Sequence, residues 1–396
     1  MQPFITTKTP YPKWVRFGHL IGLLFLVGAC SIEKEEPRER APVLRFIDDF
    51  NFADGALFDH IEPPEFGGIS GIGYDPTNGS LTALSDARFD CRFYELELKL
   101  SENSLKVTPI SVTFLRDGEG ELLPPRAMDG EGLALMSDGS LLVSSEGDVS
   151  RGAAPGLFLF GSDGRMKRQL PVPAKFLGSS ADDAAEGVRD NLAFESLAIS
   201  PDGTRIYFAA EGALAQDGDV TSPERGSRTR IVEYAFDGNE VHPMNEFAYD
   251  VDPVSTPSDF GPGVGGNGLV ELVSLGGGEL LALERSFFVE GFDMLEDHRS
   301  HQQIRIYFVS LRDASDVSDV ASLKQDGDVR PASKELLLDL EDIVSQLDPD
   351  FPTLDNFEGM CFGPELSSGN RSLVLVSDNN FQPWQRTAFL IFELIE

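Results

Sequence analysis

The hydrophobic residues of this chain recur in short runs, and successive runs are separated by turns rich in Gly, Asp, Asn or Ser. Residues 191–212, NLAFESLAISPDGTRIYFAAEG, show the pattern, with two apolar runs on either side of a Pro-Asp-Gly turn. Such a pair of runs predicts a β-hairpin. Glu195 and Glu211 are equally far from Gly203 in the turn. We therefore expect these two carboxylates to lie close together across the strand pair.

The same hairpin pattern occurs in four further segments, at residues 67–88, 129–148, 267–287 and 356–381. Two more strand-like runs follow each hairpin except the last, which has only one before the chain ends. The run VLRFIDDFNF at residues 43–52 can supply the missing strand. Repeated four-stranded units closed by pairing of the two termini are typical of a β-propeller. The sequence therefore predicts an all-β fold, a single propeller of four-stranded blades over residues 43–396. Five blades are counted, and a sixth, degenerate blade within the long later repeats is the alternative.

In a propeller, the first strand of each blade lines the central channel, so the start of that strand and the end of the second strand share one face. The hairpins then bring eight acidic residues to one rim: Asp86, Glu131, Glu146, Glu195, Glu211, Glu284, Glu358 and Asp378. The ring is uneven, because the first repeat has Ser70 and the fourth has Gly268 where other repeats open with Glu. Two unit charges about 5 Å apart repel by roughly 3 kcal/mol at an effective dielectric constant near 20. Protonation, arginine partners or a metal must offset this repulsion.

Calcium is the metal that this set of residues favours, since it takes six to eight oxygen ligands in flexible geometry. Zinc is disfavoured because the histidines after the N-terminal segment lie outside the repeated motif: His60, His242, His298 and His301. Three arginines near the rim acids, Arg88, Arg285 and Arg386, are the candidates for binding an anionic substrate. The alternative is a structural role, in which each acid accepts backbone N–H groups from the next blade.

The chain carries 32 Lys and Arg against 66 Asp and Glu, a formal net charge of −34, which argues against nucleic-acid binding.

Residues 1–29 have a basic start and a short apolar run, as in a secretory signal. Their end, LVGAC, resembles the bacterial lipobox, so we expect lipidation at Cys30, followed by a flexible tether over residues 30–42. An ordinary cleaved signal is the alternative. Membrane attachment is thus expected through the lipid anchor only, at the outer membrane or facing the periplasm in a Gram-negative cell.

The hairpin segments, together with ELLALERSF and DNFEGMCFGP, closely resemble the phytase-like family, described by its esterase-like activity, over roughly residues 60–396. The resemblance implies a propeller and, through looser kinship with β-propeller phytases, calcium-dependent hydrolysis of phosphate esters. It assigns site roles to Glu131, Glu195, Glu358 and Asp378. The expected substrate is a small anionic ester, and the expected state is a monomer. Two alternatives stay open, a metal-dependent lactonase or carboxylesterase and a non-catalytic, calcium-stabilised binding module of the envelope. The sequence also leaves open whether Cys91 and Cys361 pair.

Overall fold

The computed structural model describes residues 40–53, 56–63, 65–101, 104–177, 186–291, 299–324 and 327–396. The predicted signal segment 1–29, Cys30, most of the tether and His298 lie outside the described residues. Within the described ranges, no helix has the length and apolar character needed to cross a membrane.

The described strands belong to four-stranded antiparallel sheets, which we number as blades in chain order. The strand that precedes the first hairpin is β1 (Val43–Asn51). Blade 1 contains β2 (Ile69–Asp75), β3 (Ser80–Ser85), β4 (Arg92–Ser101) and β5 (Ser104–Phe114). Blade 2 contains β6 (Gly130–Leu135), β7 (Leu141–Ser145), β8 (Gly156–Phe160) and β9 (Met166–Leu170).

The remaining blades have the same order of strands. Blade 3 contains β10 (Phe194–Ile199), β11 (Arg205–Ala210), β12 (Ser227–Phe236) and β13 (Val241–Val251). Blade 4 contains β14 (Gly263–Gly276), β15 (Glu279–Glu290), β16 (Ser300–Ser310) and β17 (Ser333–Asp339). Blade 5 contains β18 (Asn356–Glu365), β19 (Arg371–Asp378), β20 (Ala388–Ile395) and, as its outer strand, β1.

The N-terminal strand closes the ring. β1 runs antiparallel to β20, with Val43 opposite Ile395 and Asn51 opposite Ala388. This pairing confirms the predicted closure and the count of five blades. The described residues contain no sixth blade, because the extra length of the fourth repeat is taken up by a long β14–β15 hairpin and by the connection between β16 and β17. Closure also pairs the edge that β20 would otherwise expose.

Apolar side chains fill the space between adjacent blades, and each of the five interfaces has its own buried cluster. Each cluster contains residues of both blades at its interface. Starting at the interface of blades 1 and 2 and going around the ring, examples are Leu84 and Val143, Leu142 and Phe208, Ala209 and Leu280, Leu281 and Leu390, and Val374 and Leu96. Burial of apolar surface between blades is therefore the main force that holds them in a ring.

Turns and short helices complete the fold. Gly203, in the turn of blade 3, has a φ of 71°, a left-handed conformation that glycine adopts without steric cost. The described helices are three short 3₁₀ segments, Val149–Arg151, Ala174–Phe176 and Leu340–Gln346.

Cys91 and Cys361 are both free and buried, so they do not pair.

Candidate functional site

Two positions in every blade lie at the same mouth of the channel. The innermost strand of each blade has a β-bulge near its start, and we call the extra residue the bulge position. In blade order the bulge position holds Ser70, Glu131, Glu195, Val270 and Glu358. The strand-end position, at the end of the second strand, holds Asp86, Glu146, Glu211, Arg285 and Asp378. An arginine thus replaces the carboxylate in blade 4.

The strand-end position is defined by the same backbone contact in successive blades. The amide of Asp86 donates to the carbonyl of Gly68, that of Glu146 to Asp129, and that of Glu211 to Ala193, at 2.7–3.1 Å. In blade 4 the residue opposite Gly268 is Arg285. The correspondence between blades is therefore fixed by the pairing of the strands, and it does not depend on side-chain similarity.

Blade 4 differs from the predicted arrangement. Hairpin symmetry placed Glu284 opposite Gly268, whereas the strands pair Glu284 with Leu269. The cause is local. The turn contains three successive glycines in left-handed conformation, and the inner strand has a bulge, so equal numbers of residues on the two sides of the turn do not pair. As a result Val270, and not Gly268, takes the position of Glu195.

The structure does not bring Glu284 into the acidic cluster. Its carboxylate accepts hydrogen bonds from Tyr249 Oη at 2.8 Å, the Asp252 amide at 3.0 Å, Asn267 Nδ2 at 2.9 Å and Lys334 Nζ at 2.6 Å. These partners lie on blades 3 and 4 and on the segment that connects them. Glu284 is therefore a structural link between the two blades, as the alternative interpretation of the acids anticipated.

Glu271 has a similar structural role. Its Oε1 accepts the amides of Leu197 at 3.0 Å and Leu272 at 2.8 Å, so the side chain links blade 4 to blade 3. Burial raises the pKa of Glu271 well above its usual value, although these backbone donors act in the opposite direction.

Carboxylates of blades 2 and 3 form two overlapping groups. Oxygens of Asp129, Glu131 and Glu146 all lie within 4.8 Å of one another, and so do oxygens of Glu146, Glu195 and Glu211. We refer to these five residues as the acidic cluster. Glu146 belongs to both groups, so the cluster is continuous. Glu195 and Glu211, which the sequence predicted to meet, lie in the same group.

Close contacts between the inner strands of blades 2 and 3 hold the residues of the acidic cluster in position. A Cβ atom added at Gly132 would lie 2.5 Å from the carbonyl oxygen of Glu195, so only glycine allows this approach. Ser144 Oγ donates to that same carbonyl at 3.0 Å and accepts the Gly132 amide at 2.8 Å. The bulges that carry Glu131 and Glu195 are thus held next to each other.

Asp129 is a member of the cluster that the sequence prediction missed. It precedes the inner strand of blade 2, where the other blades have Gly68, Ala193, Gly268 and Asn356. The repeat pattern of the hairpins therefore does not mark Asp129 as a site residue. The signal that was available is the Asp-Gly-Glu sequence at residues 129–131, which places two acids at one strand start.

The other three predicted acids, Asp86, Glu358 and Asp378, belong to blades 1 and 5 and to neither group of the acidic cluster. Burial raises the pKa of Asp86 to about 7, and the charges of Glu358 and Asp129 add to the effect. Burial also raises the pKa of Asp378 well above its usual value, with further contributions from Asp86 and Glu358. These three carboxyls are thus close enough to oppose one another's ionisation.

Burial is also the largest cause of the pKa shifts within the cluster. It raises the pKa of Asp129 to about 6, of Glu211 to about 7 and of Glu146 to about 8. The pKa values of Glu131 and Glu195 are raised well above the usual range, and each feels the charge of neighbouring carboxylates in addition. Without a cation, the cluster therefore retains protons at neutral pH.

Arg285 is the cation between the cluster and blade 5. Its Nη2 lies 3.5 Å from Glu211 Oε1 and 3.3 Å from Glu358 Oε1, and its Nη1 donates to Asn356 Oδ1 at 2.8 Å. Burial alone would lower the pKa of Arg285, but Glu358 and Glu211 raise it above its usual value. Arg285 therefore stays charged and offsets part of the negative charge of the mouth.

The two other predicted arginines differ in position. Arg88 Nη2 lies 2.5 Å from Asp129 Oδ2, so Arg88 is at the edge of the acidic cluster. Arg386 contacts Asn51, Thr353 and Asp355 instead, and the structure does not bring it to the cluster. Its backbone amide also donates to Asp355 Oδ2, at 3.0 Å, which holds the backbone of Arg386 against the segment that precedes β18.

A cavity of about 150 Å³ opens beside the acidic cluster. It is lined by Arg88, Asp129, Glu146, Gly147, Asp148, Arg151, Asp190 and Asn191. A larger cavity of about 400 Å³ lies on blade 3, with Asp217, Arg225, Arg228 and Lys324 in its wall. None of the predicted site residues lines the larger cavity, so the smaller one is the candidate site.

The donor set at the mouth fits a hard divalent cation. Oδ1 of Asp86 and Oδ1 of Asp129 are buried and have no hydrogen-bond partner, and the same holds for Nε of Arg285. Buried carboxylate oxygens without donors are costly unless a cation or a proton satisfies them. The two groups of the cluster offer oxygen ligands without histidine or cysteine, which suits calcium or magnesium better than zinc.

Comparison with known proteins gives one family match. Residues 64–381 match the model of the Phytase-like family, described as "Esterase-like activity of phytase". An uncharacterized secreted protein of Arthroderma benhamiae is 24% identical over 157 residues, which are 34% of this chain and 29% of that protein. The chain thus spans under a third of that relative's length.

Solved structures with a similar trace include two bacterial enzymes. A periplasmic gluconolactonase of Pseudomonas aeruginosa is 14% identical with a TM-score of 0.34, covering 84% of this chain and 90% of that one. A gluconolactonase of Xanthomonas campestris is 10% identical with a TM-score of 0.30, covering 91% of this chain and 100% of that one. Both likenesses are too distant to carry an argument about this chain.

Because the folded-state pKa values of the mouth carboxyls are raised, the folded protein without metal binds more protons than the unfolded chain above about pH 4. Stability in the presence of a chelator should therefore fall as the pH rises from about 4.5 to about 8. We expect the thermal midpoint in EDTA to be at least about 5 °C lower at pH 8 than at pH 5, and excess calcium to reduce this difference. Differential scanning calorimetry measures both. A thermal midpoint in EDTA that is equal or higher at pH 8 than at pH 5 would contradict the raised pKa values of the mouth carboxyls.

Proposed function

Since the chain belongs to the phytase-like family, described by the esterase-like activity of phytase, we propose that its channel mouth hydrolyses esters with the help of a bound divalent cation. Calcium is the leading candidate for the cation, and phosphate esters are the leading substrate class. The substrate would be a small anionic ester, and the protein would act as a monomer.

One observation carries this proposal. Five carboxylates of the acidic cluster converge beside a cavity, and two arginines, Arg88 and Arg285, contact the same cluster. A purely structural role would leave the acids satisfied by backbone donors and the arginines directed elsewhere. Glu271 meets that description, and Glu284 is satisfied by one backbone and three side-chain donors, whereas Asp86 and Asp129 retain buried oxygens without a donor. The arrangement therefore supports binding of a positive species.

Asp129, Glu131, Glu146, Glu195 and Glu211 are the residues that would hold the cation. When bound, a divalent cation supplies positive charge that offsets the anionic oxygens of a substrate and makes a nearby water more acidic. Glu146 is central to both groups. Its Oε1 accepts the Ala193 amide at 2.6 Å, which orients the carboxylate toward its neighbours.

The arginines suit the binding of anionic substrate oxygens. Arg88 lines the cavity and is about 40% exposed, so its guanidinium can contact a ligand there while keeping its bond to Asp129. Arg285 is largely buried between Glu211 and Glu358. Its unpartnered Nε leaves one donor for a group that enters the mouth.

Asp86 is the candidate proton donor to the leaving group, because its buried Oδ1 has no hydrogen-bond partner at the mouth. It lies outside both groups of the acidic cluster, and burial raises its pKa to about 7. A carboxyl group of this pKa is partly protonated at neutral pH, which is the state that general-acid catalysis requires. Among the mouth carboxyls outside the cluster, we therefore assign this role to Asp86.

The proposed location is the cell envelope, with a lipid anchor as the only membrane contact. The N-terminal sequence through Cys30 supports export and lipidation. An exported enzyme of this kind would meet ester substrates outside the cytoplasm, and its net charge of −34 would disfavour nucleic acid as a partner.

Glu146→Gln tests the cation site, because it removes the carboxylate shared by both groups while the amide oxygen can still accept the Ala193 N–H. We expect the calcium-dependent rise in melting temperature to disappear and calcium-dependent hydrolysis of p-nitrophenyl phosphate to fall at least about tenfold. Glu284→Gln is the matched control and should keep the calcium-dependent rise. A wild-type protein that hydrolyses neither p-nitrophenyl phosphate nor p-nitrophenyl acetate with any divalent cation would falsify the proposed function. Turnover of the acetate alone would exclude phosphate esters as the substrate class.

Cys30→Ser tests the lipid anchor. The wild-type chain expressed in a Gram-negative host should incorporate radiolabelled palmitate and sediment with membranes, while the variant should do neither, because a thiol is the acceptor of the lipid. Lys8→Ser is a control that leaves the cysteine in place. No labelling of either protein would contradict the lipid anchor, and equal labelling of the two would place the lipid on a residue other than Cys30.

A further inference from the structure

Backbone strain in the described chain is concentrated around the channel mouth. The non-glycine residues with positive φ in the described ranges are Arg126, Asn191, Asn380 and Phe381, at 64°, 58°, 47° and 51°. Each lies in a loop that follows a second strand or precedes an inner strand, and these loops share the face of the mouth. Such conformations are strained for residues other than glycine and persist where the surroundings enforce them. The loops thus hold particular side chains at the mouth.

Arg126 and Phe89 form one such arrangement. The Arg126 amide donates to the carbonyl of Arg88, and the guanidinium carbon lies 5.0 Å from the centre of the Phe89 ring. Nη1 of Arg126 is 3.6 Å from Oδ2 of Asp148, which lines the cavity. The Arg126–Phe89 stack is therefore at the edge of the cavity that holds Arg88.

Phe89 remains 65% exposed in this stack. Arg126 covers part of the ring, and the rest faces solvent next to a polar cavity. A large exposed aromatic side chain held beside a binding site is suited to contact a ligand, because aromatic rings combine a broad apolar face with little conformational freedom.

The size of the cavity indicates what must lie outside it. At about 150 Å³ it is smaller than the roughly 300–1,000 Å³ of pockets that bury a drug-sized ligand. Its lining is charged, with Arg88 and Arg151 among acidic residues. Four carboxylates outnumber these two arginines, so the cavity receives the anionic head of an ester only with the proposed cation bound. The alcohol part of the substrate then extends over the edge, where Phe89 lies.

We propose that Phe89, supported by Arg126, is a specificity-determining residue that stacks against an aromatic ring in the alcohol part of the substrate. The preferred substrates are then aryl phosphate esters rather than alkyl ones. This inference rests on the proposed function for the orientation of the substrate, with its phosphate toward Arg88 and its ring toward Phe89. Arg88 and the proposed cation match the phosphate of such a molecule, and the apolar face of Phe89 matches its ring.

Phenylphosphonate and methylphosphonate separate the contribution of the ring, because they share a head group and neither has an ester bond to hydrolyse. In calorimetric titrations with calcium present, the wild type should bind phenylphosphonate about 3- to 10-fold more tightly than methylphosphonate. Phe89→Ala should remove this preference, whereas Phe89→Tyr should keep it. Ile110→Ala, a truncation of an exposed side chain on the outer strand of blade 1, should also keep it.

A wild type without this preference, including one that binds neither phosphonate, overturns the inference, and so does a preference that survives in Phe89→Ala. Failure of the proposed function is a separate result. It appears as absent turnover of esters, and the phenyl preference is measured by binding without any turnover. Loss of the preference in Phe381→Ala but not in Phe89→Ala would assign the ring contact to Phe381 and overturn the assignment to Phe89.

Discussion

Crowding of like charge at one end of the channel is the constraint on which the rest of the site depends. Five carboxylates have oxygens within 4.8 Å of their neighbours, in two groups that share Glu146. They are largely buried, so water cannot screen them well. Protons or cations must compensate for this charge. Burial raises the pKa of Glu146 and Glu211, which favours their protonated forms, and Arg285 and Arg88 place positive charge at the edges of the cluster.

The propeller imposes this crowding through forces that have nothing to do with charge. Apolar clusters between blades press the inner strands together, and β-bulges turn one residue of each inner strand toward the mouth. Gly132 and Ser144 then fix the spacing between blades 2 and 3. The free energy of burying apolar surface is thus large enough to hold carboxylates where they repel one another. A ligand that binds the folded mouth and carries positive charge there would therefore stabilise the protein.

Much of the fold could be predicted because it depends on local patterns. The hairpins, their turns and the spare strand at residues 43–52 are visible as alternation of apolar runs and turn residues, and closure follows from them. The site was less predictable because it depends on departures from the repeat. A bulge is invisible in sequence, so Val270 could not be matched to Glu195, and Asp129 has no acidic counterpart in other blades. The sequence predicts Arg285 as a site residue because it follows Glu284. In the structure, Arg285 occupies the strand-end position itself, where the other blades have an acid.

Anomalous diffraction from crystals soaked in a lanthanide that replaces calcium can locate a bound cation directly. We expect an anomalous peak coordinated by Glu146 together with Asp129 and Glu131, or with Glu195 and Glu211. A map with no peak at the channel mouth, in crystals whose carboxylates are instead paired with one another through protons, would contradict the claim that this acidic cluster exists to bind a positive ion.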